Sequence, residues 1–282
     1  MKKLLSLLLA AILCLSVFCV ASAEESDWEY VQNKGKITIG MTLFAPMNYY
    51  EGDEFIGFDT ELAKAVFAAL APDLEVEFIE INWDSKEIEL NSKNIDAIWN
   101  GMCITEERKQ NMSMSNAYLY NTQAMVMKAD AEEKLMADVA GAYVVAEQGS
   151  TGEGKLTGDI DDTGDETVEV MAKEYFKDAN YTAVDSMAKA LMEVKAGTAD
   201  IALVDSVCAL AMVGEGTDYD DLIVNMDNNF GLQEYGIGFR VGSDITELVN
   251  KTIVDLTLDG TIAEIAAKYG LTDALVPVES EN

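Results

Sequence analysis

The chain contains no histidine. Imidazole is the commonest metal ligand and general base among side chains. Its absence excludes histidine-based metal sites and every Ser–His–Asp or Cys–His triad. Basic residues are scarce: 19 Lys and Arg stand against 51 Asp and Glu, a formal charge of −32. Phosphate-rich partners are held by an excess of Lys and Arg, so nucleic acid and anionic membrane surfaces are excluded as partners. There are only three prolines and no Pro-rich stretch, so any two domains are joined by short crossovers, which suit a hinge better than a tether. After the first twenty residues no apolar run is long enough to span a bilayer. Of four cysteines, Cys14 and Cys19 lie in that first run. The other two, Cys103 and Cys208, read as free buried thiols rather than a disulfide scaffold.

The apolar start has the form of a secretory signal. Lys2 and Lys3 precede "LLSLLLAAILCLSVFCV", and "ASA" at 21–23 is a small-residue cleavage site. Removing 1–23 takes away two lysines and no acids, so the formal charge becomes −34 on 259 residues, enough chain for two domains. Within it, strand and helix patterns alternate. "KITIG" (36–40) and "LEVEFIEI" (74–81) alternate with period two, and "FDTELAKAVFAAL" (58–70) has helical spacing with Asp59 placed as N-cap. Asp84 and Glu87 form the pattern of a capping box for a helix over 84–90. "IDAIW" (95–99) is a buried strand, and a helix starts from Thr105. Such a β-α-β-α-β series predicts a mostly parallel sheet covered on both faces. A second series follows: strands at 122–128, 142–147, 199–205 and 221–226, and a helix within 181–197. Helices over 244–257 and 260–269 close the chain. The Gly-, Asp- and Thr-rich run 157–170 reads as a solvated loop, and it lacks the ligand spacing of an EF-hand.

Ligands of open parallel sheets bind beyond the carboxyl ends of the strands. Phe44 follows the first strand, and Trp83 the second. Asn100, Gly101, Cys103 and Arg108 follow the third. Glu147, Ser150 and Thr151 come at the end of 142–147, and Asp205 at the end of 199–205. Taken singly, each has an ordinary alternative: Arg108 paired on the surface with Glu106 or Glu107, Phe44 and Trp83 in the core, Asp205 capping the next helix. Taken together, they fit a zwitterion. Its carboxylate would sit at 100–108, its ammonium on Asp205, and its side chain between Phe44 and Trp83. No cofactor or metal is implied.

The motifs "IGFDTELAKAV", "NIDAIWNGMCITEERK", "EQGSTGE", "AGTADIALVD", "YGIGFRVGSDITELVN" and "LDGTIAEIAAKYG" occur in this order. On them the chain resembles the extracytoplasmic amino-acid-binding proteins, family 3, of polar amino acid ABC importers. The resemblance implies an α/β protein of two Rossmann-like lobes joined by two crossover hinge strands, the type II periplasmic-binding-protein fold. Lobe 1 would be 24–120 with 231–282, and lobe 2 would be 121–230. Arg108 and Thr151 would hold the ligand carboxylate, and Asp205 with the Asn100 carbonyl the ammonium. Gly101 and the main chain at Cys103 would line both, Phe44 and Trp83 would sandwich the side chain, and Glu147 would lie near it. Cys103 departs from a Ser or Thr in relatives. Met41 departs from an acid seen in relatives that prefer basic or amide side chains, whereas Glu147 could read a side-chain donor, so ligand choice stays open among polar and neutral amino acids. The resemblance further implies an exported monomer in the periplasm or on the outer face of the cytoplasmic membrane. Its partners would be a free amino acid and a permease, and it would perform no catalysis. The alternative is an exported cyclohexadienyl or arogenate-type dehydratase on the same fold, with Glu147 as general acid.

Overall fold

The computed structural model describes residues 25–158, 166–228 and 230–278. The signal segment 1–23 and residues 159–165 of the acidic run lie outside them. The chain begins with α1 (Asp27–Lys34), β1 (Lys36–Met41), the hairpin β2 (Tyr49–Glu51) and β3 (Glu54–Ile56), α2 (Phe58–Leu70) and β4 (Glu75–Glu80). A 3-10 turn (Trp83–Ser85) leads into α3 (Lys86–Asn91), then β5 (Ala97–Cys103), α4 (Glu106–Asn111), β6 (Ser113–Met114) and β7 (Leu119–Asn121). There follow β8 (Gln123–Lys128), α5 (Glu132–Ala137), β9 (Tyr143–Glu147), α6 (Thr151–Thr157) and α7 (Glu166–Phe176). Next come β10 (Asn180–Val184), α8 (Met187–Ala196), β11 (Ile201–Asp205), α9 (Ser206–Met212) and β12 (Leu222–Asn225). Last come β13 (Gln233–Phe239), α10 (Ile245–Leu258), α11 (Thr261–Lys268) and a 3-10 turn (Thr272–Ala274).

These strands build two mixed sheets. The first has the order β4-β1-β5-β13-β6, with β7 also paired to β13. Its β4, β1 and β5 run parallel, and β13 enters antiparallel to β5. The second has the order β10-β9-β11-β8-β12. Here β10, β9 and β11 are parallel and β8 is antiparallel. The chain leaves the first sheet after Asn121, enters the second at Gln123, and returns between Asn225 and Gln233. The continuous apolar character of β5 has a direct cause: every one of its residues is buried, as for strands covered on both faces. On α2, Leu62, Ala63, Val66 and Phe67 face the core, which also holds Trp99, Tyr235 and Phe239.

Five local expectations are corrected. Asp59 is not a cap: Gly57 holds that position, and Asp59 turns inward in the first turn of α2, fully buried. Asp84 and Glu87 form no capping box, because a 3-10 turn occupies 83–85 and α3 begins without a side-chain cap. The third strand runs on through Cys103 instead of ending at Trp99. A strand, β10, precedes the helix read within 181–197 and joins the edge of the second sheet. Residues 166–170 of the acidic run belong to α7 rather than to a loop.

Candidate functional site

The parallel strands of the two sheets point their carboxyl ends at one cavity. Phe44, Trp83, Asn100, Gly101, Cys103, Arg108, Glu147, Ser150, Thr151 and Asp205, the ten strand-end residues singled out in the sequence, all line it, with Met187. Met41 is buried at the end of β1 but is not part of the lining. The cavity encloses about 10 Å³, room for about one water molecule, so the two sheets stand closed on each other.

The geometry begins with β5. Its pairing with β13 shifts register between Gly236 and Gly238, so Trp99, Asn100 and Gly101 bulge opposite Ile237. Bulges re-aim side chains beside functional sites. Trp99 turns into the core, while Asn100 and Gly101 reach the cavity. Gly101 has φ +52°, and a Cβ there would lie 2.8 Å from Phe44 Cζ and 3.0 Å from Tyr235 Cε2. Its N–H donates to Asp59 Oδ2 at 2.6 Å. The Asn100 side chain is spent on the exit of β1. Its Oδ1 accepts from Thr42 N and Thr42 Oγ1, both at 2.8 Å, and its Nδ2 donates to Thr42 O and Asn48 Oδ1.

Arg108 is set by the short helix α4. Thr105 caps it, accepting from the Arg108 N–H at 3.0 Å, so the arginine sits in the first turn and folds back along β5. Its Nη1 donates to Cys103 O at 2.7 Å and its Nη2 to Gly149 O at 3.1 Å. It is 5 % exposed, which rules out the surface pairing with Glu106 or Glu107. Glu106 pairs with Lys109 instead.

Asp205 faces Arg108 from the second sheet, at the end of β11. It makes no helix-cap bond. Gln123 Nε2 donates to its Oδ1, and Tyr235 O–H donates to its Oδ2 at 2.6 Å. Burial raises its pKa, against the pull of Tyr235, Gln123, Asn121 and Arg108. Burial and then Asp205 push the Glu147 carboxyl up to about 8, against Lys86, Thr42 and Arg108. Glu147 Oε1 is buried without a hydrogen-bond partner. Cys103 and Cys208 are buried and not joined in a disulfide. Cys103 Sγ lies 3.5 Å from Thr151 Oγ1 and donates to Gln233 Oε1 at 3.5 Å.

Several residues of this region escaped the sequence reading. Gln123 and Gln233 open the two strands that follow the crossings. Gln123 Nε2 donates to Gln233 Oε1 at 2.9 Å and to Thr151 Oγ1 at 3.1 Å. Asn121 Nδ2 also donates to Gln233 Oε1, at 2.7 Å. Polar residues at strand starts carry no periodic signal, and nothing in the sequence joins positions 121, 123 and 233. Asp59 was read only as a cap, and Lys86 was not singled out. Among the described residues no group of three or more acidic or cysteine side chains could hold a metal ion.

Two sheets crossed twice by one chain, with a site between them at the strand ends, make the type II periplasmic-binding-protein fold. Comparison with known sequences narrows the class: residues 37–272 match the bacterial extracellular solute-binding proteins, family 3, and the chain belongs to that family. Among its relatives is the arginine-binding extracellular protein ArtP of Bacillus subtilis (strain 168), 28% identical over 95% of this chain and 98% of its own length. The L-cystine-binding protein TcyJ of Escherichia coli (strain K12) is 25% identical over 88% of this chain and 87% of its own. Among solved structures, a substrate-binding protein of an ABC uptake transporter from Streptococcus pneumoniae, with bound histidine, superposes with TM-score 0.77 at 29% identity. That match covers 89% of this chain and 99% of the other.

Proposed function

We propose that this protein captures a free L-α-amino acid with a polar or neutral side chain and delivers it to an ABC importer. Residues 24–120 with 231–282 form one lobe and 121–230 the other, and the two crossings are the hinge about which they close. The observation that carries this reading is the opposition, across one small cavity, of a buried arginine from the first sheet and a buried aspartate from the second. Two aromatic rings, Phe44 and Trp83, line the same cavity. Arg108 takes the α-carboxylate, with Thr151 and the main chain of Gly101 and Cys103. Asp205 and the Asn100 carbonyl take the ammonium. Phe44, Trp83 and Glu147 surround the side chain. Relatives named for arginine and cystine, and a neighbour solved with histidine, support the ligand class. Export after removal of 1–23, a monomeric state and a membrane permease as partner belong to the same reading.

Calorimetry against the twenty amino acids tests it. At least one binds tighter than about 1 mM. Arg108→Ala and Asp205→Ala each weaken that binding by about 2–5 kcal/mol, because each leaves a buried ligand charge unpaired. A wild type that binds none, or two variants that bind as the wild type does, overturns the reading. The dehydratase alternative has one observation in its favour: a Glu147 carboxyl pushed up to about 8 would keep its proton near neutrality, as a general acid must. Asp205 argues for a ligand with an amine. Prephenate turnover by the purified protein decides between them.

A further inference from the structure

Lys86 is 5 % exposed, and among the described residues no carboxylate forms an ion pair with it. Its ammonium is held by main-chain oxygens instead. Nζ donates to Trp83 O at 3.1 Å within its own turn and to Gly149 O at 3.2 Å in the turn after β9. It also stands 4.9 Å from the centre of the Trp83 ring. The first bond stays within the first sheet's lobe, and the second crosses the cleft. The Gly149 oxygen is shared, because Arg108 Nη2 also donates to it. Next to this junction Gln148 Nε2 donates to Asp84 Oδ2 at 3.2 Å.

The two turns meet backbone to backbone. Gly149 has φ +72°, and a Cβ there would lie 3.0 Å from Asp84 Cα and 3.4 Å from Lys86 Nζ. Asp84, Lys86, Gln148 and Gly149 are all outside the cavity lining. Burial and then Arg108 push the Lys86 ammonium down to about 7, with Glu87, Glu147 and Asp84 opposing. A lysine in that position is held only while both carbonyls are present. When the sheets part, Gly149 O leaves and the ammonium returns to water.

We propose that Lys86 is a positioning residue that clasps the 147–149 turn onto the 83–86 turn and so sets how long the cleft stays shut, without touching the ligand. The effect on ligand release rests on the amino-acid reading above, whereas the effect on shape does not.

Lys86→Met keeps the apolar stem and removes the donors. Small-angle X-ray scattering of the ligand-free protein is the first measurement. The wild type is the more compact, and K86M has a larger radius of gyration. Stopped-flow release of any amino acid that binds is the second. K86M releases faster, by about tenfold, and by the same factor for every such ligand. Gly149→Ala, which props the turns apart, opens the protein in the same way, and adding K86M to it changes nothing further. G149A carries the test alone if circular dichroism shows K86M unfolded. The proposal is overturned if the ligand-free wild type is already as extended as the variants, or if the variants scatter as the closed structure does. It is also overturned if the release factor differs between ligands. If no amino acid binds the wild type, the proposed function fails and the scattering result still judges the clasp.

Discussion

Asp59 contributes no atom to the cavity lining, yet it fixes part of the wall. It accepts from the Gly101 N–H and from Tyr118 O–H at 2.8 Å and 3.0 Å. Burial pushes its carboxyl from 3.8 up to about 7, against those bonds. The folded state therefore keeps a proton that the unfolded chain has released. The associated stability is greatest below about pH 4 and is lost as pH rises through about 7. Asp59→Asn can accept from Gly101 and donate to Tyr118, so it keeps the geometry and removes the titration. Urea unfolding across pH 4 to 8 is expected to show a downward slope in the wild type that is reduced in D59N. Equal slopes would mean that Asp59 is ionised throughout. In the sequence this residue could not be told from a cap, since both roles place an acid at the start of a helix. Lys86 was hidden in the same way: only the distant Gly149 makes it an interior residue. Arg108 and Asp205 were legible because each follows an apolar strand, where a parallel sheet collects its ligands.

Among the elements, β5 joins core and site within seven residues. A glycine inside a strand pattern reads as an end or a bulge. The end was the wrong choice here, because Met102 and Cys103 pair again with β13. The bulge brings Gly101 against Phe44 and Tyr235, so Gly101→Ala meets both a positive φ and a clash. The expected cost is about 2–4 kcal/mol of stability, from strain and from displaced rings. Thermal melts measure it. A G101A protein as stable as the wild type would show that the wall can move aside. The missed strand β10 has a different cause. Its outward-facing pattern, with one buried residue in five, leaves little periodicity to read, and its place at a sheet edge is decided by β9.

For the molecule as a whole, charge and connectivity matter most. An excess of 32 negative charges repels itself in the folded state. Lowering salt from about 0.15 M to about 0.01 M lengthens the screening distance from about 8 Å to about 30 Å. The melting temperature is expected to fall by about 3 °C or more on that change. A rise would mean that paired sites such as Arg240 with Asp27 and Asp96 outweigh the general repulsion. The alternation of strands and helices was legible in both sheets, but α1, α5, α7, α9, β10 and β13 were not read as elements. The polar bonds among Asn121, Gln123 and Gln233 were not legible, because they form only once the two crossings lie side by side.

The place of β13 in the first sheet also bears on the order of assembly. It pairs with β5, β6 and β7, yet it follows the whole second sheet in sequence. A chain emerging from its amino end can complete the second sheet first. Until Gln233 to Phe239 arrive, the inner edge of β5 stays open, with its backbone donors and acceptors unpaired. This long-range closure makes folding slow and puts its final step in one strand. A chain cut short before residue 233 would thus have one finished half and one half with an exposed, adhesive edge.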